Sequence, residues 1–335
     1  MKEIRATAKE LMQGYCRVCP VCNGKACAGE VPGMGGLGTG SAFMANVEAL
    51  SRVRLAMRLI HDTTEPDTSV EFLGHTLSVP VLAAPIGGVS FNMGGGRSEQ
   101  EYIDAIIHGC AARGTLGCTG DGVPPFILDA ACSALTAAGG RGIPFIKPWE
   151  DQELFEKLER VLACGVPMVG MDIDAAGLVT LRKMGRPVSP RSSKELQRIR
   201  ERIPVPFILK GIMTPDQARL AVDAGVDAIV VSNHGGRVLD GTPGTAEVLP
   251  AVARAVGHQI PVLVDGGVRS GGDVLKMLAL GARAVLIGRP FSVAAIGGLQ
   301  SGVETYLDAL TTELKQAMVM TGTASCRAVS SDILA

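Results

Sequence analysis

One histidine, one lysine and three arginines stand at positions where they could do chemistry together. His234 lies in Ser232-Asn233-His234-Gly235-Gly236-Arg237, a glycine-rich turn that follows the apolar run Ala228-Ile229-Val230-Val231. That run reads as a strand buried on both faces, and parallel-sheet enzymes present their chemistry at the C-terminal ends of such strands. Lys210 ends another apolar run, Pro206-Phe207-Ile208-Leu209. A charge there is costly unless it meets an anion or developing negative charge. Arg269, in Asp265-Gly266-Gly267-Val268-Arg269, and Arg289, in Gly288-Arg289-Pro290, follow two further strand-like runs. Glycine-rich backbone with an arginine after each of the last two strands of a barrel makes a phosphate cup. With Arg237 and that cup on one rim, His234 is expected to be catalytic. His61, His75, His108 and His258 have no such company and are expected to be structural.

A second constellation is local. Cys16-x2-Cys19-x2-Cys22-x4-Cys27 gathers four of the nine cysteines into twelve residues. Thiolates at this spacing can converge on one ion or cluster without long-range folding. The Cys-x2-Cys-x2-Cys run looks more like iron–sulfur than zinc ligation, with zinc and metal-free reduced thiols as the alternatives. No apolar signal core opens the chain and no apolar run reaches membrane-spanning length, so the thiols point to a reducing, cytoplasmic setting. Lys+Arg 32 against Asp+Glu 33 leaves no basic field for nucleic acid and no polybasic patch for a membrane. Gly33-Met34-Gly35-Gly36-Leu37-Gly38 matches G-x-G-x-x-G in form, but no strand precedes it and no suitably placed acidic residue follows. It is expected to be a flexible loop or lid.

The elements that must position these groups repeat from residue 79 onward. A β-branched residue and a proline mark strand onsets at Val79-Pro80, Ile143-Pro144, Val166-Pro167, Val205-Pro206 and Ile260-Pro261. Proline costs no ladder bond at the first residue of a strand. Other strands follow a helix-ending glycine, at Gly114, Gly225 and Gly281. The eight predicted strands lie near 80–84, 115–119, 144–147, 168–172, 206–209, 228–232, 262–265 and 284–287. Helical patterns separate them, among them Asp151 to Cys164, Ser192 to Arg202, Thr214 to Ala224 and a helix capped by Ser270. Eight βα units in about 210 residues make an α/β fold of the (β/α)8 TIM-barrel type, and 47% hydrophobic residues supply its core. Residues 1–78 then form an N-terminal Cys-rich extension, with a helix and connector over 42–60 and a hairpin over 70–78. Residues 79–335 form the barrel, closed by a terminal helix over 300–321.

Ser232-Asn233-His234-Gly235-Gly236-Arg237-x-Leu239-Asp240, Lys210-Gly211, Asp265-Gly266-Gly267-Val268-Arg269-Ser270-Gly271-x-Asp273-Val274 and Ile287-Gly288-Arg289-Pro290 together resemble the FMN-dependent α-hydroxy-acid oxidase and dehydrogenase family. The resemblance covers roughly residues 45 to 330. It implies FMN on the rim, with its phosphate held by Gly267, Arg269, Gly288 and Arg289. It places Ala84-Pro85-Ile86 along one flavin edge, Lys210 by the flavin N1–C2 carbonyl, and Ser232 and Asp265 among the cofactor contacts. His234 becomes the base that takes a substrate proton as two electrons pass to flavin N5, Asp174 its acidic partner, and Arg237 the carboxylate ligand. The substrate implied is a small carboxylate, a 2-hydroxy acid, and the assembly a homo-oligomer. If the cysteines hold an iron–sulfur cluster, electrons could pass on through it to a protein acceptor.

The sequence departs from that family in its recognition residues. The N-terminal tyrosine is missing from Val31-Pro32-Gly33-Met34-Gly35, and Lys147 stands near the place of the second tyrosine. The segment between Asp174 and Lys210 is short and holds Arg182, Arg186 and Arg191; Arg182 is the candidate for a second carboxylate ligand. A flavin-dependent isomerase related to type 2 isopentenyl diphosphate isomerase, and a non-catalytic flavin- or metal-binding sensor, stand as the alternatives.

Overall fold

In the computed structural model, which describes residues 1–335 except Pro187, eight parallel strands close into a barrel. In chain order they are β1 Val81–Ile86, β2 Gly117–Thr119, β3 Ile143–Ile146, β4 Val169–Asp172, β5 Phe207–Ile212, β6 Ala228–Val231, β7 Val262–Val264 and β8 Ala284–Ile287. Each pairs with its sequence neighbour, and β8 closes on β1 through Val285 opposite Val81. Every residue of β2, β3, β4, β6, β7 and β8 is buried. This burial on both faces accounts for the unbroken apolar runs. All eight strands lie where the proline and glycine punctuation predicts them.

The helices differ from expectation mainly at their ends. Ser192 and Ser270 cap their helices, each in a reciprocal capping box with Glu195 and Asp273. The helix Pro215–Asp223 begins at its proline, but the Thr214 side chain makes no capping hydrogen bond to it. The final helical segment, Arg289–Thr321, starts directly after β8 and is broken at Leu299, whose φ is 50°. It is therefore two helices, of which only the second was expected.

The first 78 residues hold the helices Lys2–Leu11 and Ser41–Arg52 and the hairpin Val70–Phe72 with His75–Leu77. The helix Lys2–Leu11 was not foreseen. It packs where Gly297 lets the backbones touch: a Cβ there would stand 2.0 Å from the Ile4 carbonyl oxygen. The Gly-rich stretch is not a free lid. Leu37 N–H donates to the Gly236 carbonyl at 2.8 Å, and Thr39 and Ser41 both donate to the Asp240 carboxylate, at 2.7 and 2.6 Å. These bonds seat residues 33–41 on the C-terminal rim of the barrel, against the turn that carries His234. Among the described residues, no helix is long and apolar enough to cross a membrane.

Candidate active site

The register of β4 and β5 sets Asp172 directly opposite Lys210. Both side chains are buried, and the Lys210 Nζ lies 3.1 Å from Asp172 Oδ1. Asp174 Oδ2 at 3.6 Å and Asp265 Oδ2 at 3.9 Å complete a ring of carboxylates around the ammonium. Burial opposes the charge on Lys210, but Asp172, Asp174 and Asp265 outweigh it and raise the lysine above its usual range. Just past Lys210 the ladder with β6 slips by one residue at Gly211, whose φ is 113°. A Cβ there would lie 2.6 Å from that of Asp174, so only glycine lets the strand pass.

His234 completes the cluster. Its Nδ1 lies 3.0 Å from Asp174 Oδ1 and 3.4 Å from Lys210 Nζ. A carboxylate at that distance accepts the Nδ1 proton, and that assignment leaves the lone pair on Nε2. Burial alone would raise Asp174, yet His234 and Lys210 together hold it below its ordinary value. Asp265 goes the other way: burial raises it despite Lys210 and the bond from Ser232 Oγ at 2.8 Å. The same Ser232 oxygen accepts the His234 backbone N–H at 3.0 Å. This bond helps to hold His234 at φ 55°, a left-handed conformation unusual for a non-glycine residue and a form of strain that clusters at functional sites. Asp172, Asp174 and His234 are the one group of three metal-capable side chains among the described residues whose ligand atoms lie within 4.8 Å of one another. The Lys210 ammonium already supplies the positive charge there.

Arg237 is half-buried behind this cluster. It donates to the Gly33 and Gly35 carbonyls and, at 2.9 Å, to Asn92 Oδ1. Among the described residues no carboxylate neutralises it, and burial, then Arg289, pull it down to about 10. A cation held by neutral acceptors on a cavity wall is suited to an anionic ligand. Gly236 has a role that the sequence does not reveal. A Cβ on it would lie 2.4 Å from the Phe43 nitrogen, so it admits the helix Ser41–Arg52 rather than a ligand.

Ala84-Pro85-Ile86 on β1, with Leu286 and Ile287 on β8, give the cavity an apolar side, and Lys210, Gly267, Gly288 and Arg289 border it. Asp265 Oδ1 is buried there with no hydrogen-bond partner, whereas Asp172 Oδ1 already faces the Lys210 ammonium. Orphaned buried acceptors call for an N–H or O–H donor from a ligand. An apolar ring system with a polar edge and an anionic tail meets these demands, and FMN has that shape and charge. Arg269 and Arg289 turn toward the N-terminal segment as well as the cavity. Arg269 donates to the Cys22 carbonyl at 3.3 Å; Arg289 donates to Met34 O at 2.8 Å and stacks 3.8 Å from the centre of the Phe43 ring. Burial lowers Arg289 to about 10. Ser232 is fully buried behind the rim, where it ties Asp265 to the His234 backbone.

The opposite wall carries Lys147, buried at the end of β3. Its ammonium donates to the Asp121 carbonyl oxygen. The Asp121 carboxylate is already taken by Lys157 at 2.9 Å, by the Trp149 indole N–H and by the Lys147 backbone N–H. Arg182 stands exposed on the short helix Val179–Lys183, while its neighbours Leu181 and Met184 line the cavity. Arg186 pairs with Glu153, and Arg191 with Asp151 and Glu195. The sequence reading singled out neither Asn92 nor Asn46, which bonds Asn233 at 2.8 Å and accepts the Thr245 N–H at 3.0 Å. An isolated asparagine carries no signal of which distant turn it will meet.

Cys16, Cys19, Cys22 and Cys27 are free, partly exposed thiols. No three of their sulfurs come within 4.8 Å of one another. Four thiolates around one zinc would lie about 3.8 Å apart, given a Zn–S length of about 2.3 Å. The arrangement does not fit the zinc alternative.

A family model described as FMN-dependent dehydrogenase matches residues 33–190 and 179–335. The chain is 34% identical to an L-lactate dehydrogenase of Xanthomonas campestris pv. campestris (strain B100), over 86% of this chain and 88% of that one. It is 32% identical to a 4-hydroxymandelate oxidase of Amycolatopsis orientalis, over 88% and 89%. A solved structure of mandelate oxidase with benzoyl-formic acid superposes with a TM-score of 0.79 at 30% identity, over 97% of this chain and 95% of that one.

Proposed function

This chain belongs to the FMN-dependent dehydrogenase family and is an α-hydroxy-acid oxidoreductase, and from that premise we propose how its residues divide the work. FMN, once bound, accepts the two electrons of the oxidation. The observation that carries the reading is one wall on which His234, oriented by Asp174 at 3.0 Å, stands near the un-neutralised Arg237. Arg237 binds the substrate carboxylate. His234 takes the substrate proton on Nε2, and Asp174 stabilises the resulting imidazolium. Lys210 and Asp172 meet the polar edge of the cofactor, Ala84-Pro85-Ile86 its apolar body, and Gly267, Arg269, Gly288 and Arg289 its phosphate. Ser232 and Asp265 brace the turn.

The substrates named for the relatives are lactate and 4-hydroxymandelate. The two missing tyrosines and the charged Lys147 argue for a different side chain on the 2-hydroxy acid taken here. A finer reading adds a protein electron acceptor reached through an iron–sulfur cluster at Cys16, Cys19, Cys22 and Cys27. Its support is that Arg269 and Arg289 wall both the flavin-side cavity and a cavity at these cysteines. The same reading takes the protein as a homo-oligomer with residues 1–78 as an extension of the barrel unit; light scattering reports the oligomeric state.

The test is an anaerobic absorbance titration of the purified flavoprotein with a panel of 2-hydroxy acids, including dicarboxylic ones. Bleaching of the flavin band by one of them identifies the substrate class. A flavin that none of them bleaches overturns the reading and favours redox-neutral chemistry.

A further inference from the structure

Beside the flavin-side cavity lies a second one of about 330 Å³. All four N-terminal cysteines line it, together with Arg5, Arg269, Arg289 and Tyr306. We propose that this cavity is the site of a four-iron iron–sulfur cluster ligated by Cys16, Cys19, Cys22 and Cys27.

Four observations converge on it. The thiols surround one cavity but are too dispersed for a single ion. In a four-iron cluster each thiolate binds a different iron at a separate corner, so wide spacing is what the ligand set requires. The volume is far larger than the 10–15 Å³ or so that one water-sized occupant takes. Two sulfurs already accept N–H hydrogen bonds: Cys16 Sγ from Val18 N at 3.4 Å, and Cys22 Sγ from Arg269 Nη2 at 3.6 Å. Hydrogen bonds to the sulfurs are a lever by which proteins tune such clusters.

Charge and unmet bonding point the same way. As cluster ligands the four cysteines would be thiolates and would bring negative charge into a partly buried space. Arg5 donates to the Val18 and Cys19 carbonyls, Arg269 reaches Cys22, and among the described residues the side chains of Arg269 and Arg289 donate to backbone oxygens and to Cys22 Sγ rather than to a carboxylate. The Tyr306 hydroxyl is buried on this wall with no hydrogen-bond partner, and a cluster sulfur offers it an acceptor.

This proposal rests on the flavin reading only for the position of the shared arginine wall, and its test does not depend on a substrate. The full chain is purified anaerobically and reconstituted with ferrous iron and sulfide. Iron, acid-labile sulfide, zinc and flavin are then counted per chain, and the dithionite-reduced protein is read by low-temperature EPR. The expected result is about four irons and four sulfides per chain with a reduced-cluster EPR signal. Cys19→Ser and Cys22→Ser should lose most of the iron while keeping flavin, and Cys132→Ser, outside the cavity, should keep both. Should the serine variants fail to fold, thiol titration of the native wild type replaces them: metal loading should protect four thiols. One zinc per chain, or no iron after reconstitution with all four thiols reactive, overturns the cluster. Full iron in a protein whose flavin no 2-hydroxy acid bleaches supports the cluster and overturns only the substrate reading.

Discussion

The two halves of the barrel rim are built from different material. From β4 to β7 the strand ends carry Asp172, Asp174, Lys210, His234 and Asp265 in one contiguous set of contacts, all within 3.9 Å of Lys210. From β1 to β3 the wall is Ala84-Pro85-Ile86, small glycine turns, Asn92 and one cation, Lys147, set beside the already paired Asp121. The contrast teaches where precision is needed. On the proposed reading, proton transfer depends on groups whose mutual distances are set by strand register and a strained turn, whereas recognition can be altered by changing side chains on the opposite wall.

If the charged half carries the reaction, the largest effect belongs to His234→Ala. It should lower kcat/KM by about 10²–10⁴-fold, the usual worth of a positioned acid–base group, with flavin content unchanged by absorbance. A loss under tenfold would break the comparison. Arg237→Met comes next. Removing one side of a buried charged contact costs about 2–5 kcal/mol, expected here chiefly as a raised KM in steady-state assays over the substrate series. An unchanged KM would take the carboxylate away from Arg237. Lys147→Met should act by selection: up to about tenfold less activity with an acid bearing a second anionic group, and little change with a neutral side chain. Equal losses on both would place Lys147 in the reaction rather than in recognition.

The smallest effect is one of stability. Asp174 is depressed in the folded protein by His234 and Lys210, so its contribution is present above the unfolded value of about 3.9 and lost as pH falls through the folded value. The stability difference between wild type and Asp174→Asn, measured by urea midpoints, should hold steady from pH 7 to about 5 and shrink in more acid solution. A difference that grows toward low pH would mean that Asp174 does not stand ionised in the cluster.

Much of the barrel was legible because its signals are local. A proline at a strand onset, a glycine at a helix end and a serine three residues before an acid each act within a few residues of where they stand. His234 and Lys210 were legible for a related reason: each ends or closely trails an apolar run at the barrel rim, whereas Asp174 was named as the histidine's partner only through the family resemblance. The helix Lys2–Leu11 was missed because its seat is a distant set of glycines near Gly297. Composition cannot tell which residues of a short helix face inward, and in Val179–Lys183 it is Thr180 and Leu181, not Arg182, that line the cavity.

The sequence by itself determined the eightfold alternation, the strand ends and which polar side chains stand at the rim, since burial pattern and turn chemistry are written residue by residue. Only the tertiary structure decided that Lys210 would stand among three carboxylates, that Gly236 would admit Phe43, and that Arg269 and Arg289 would divide two cavities. Those facts depend on contacts between segments up to 255 residues apart, and closing such loops leaves no periodicity in the chain that could announce it.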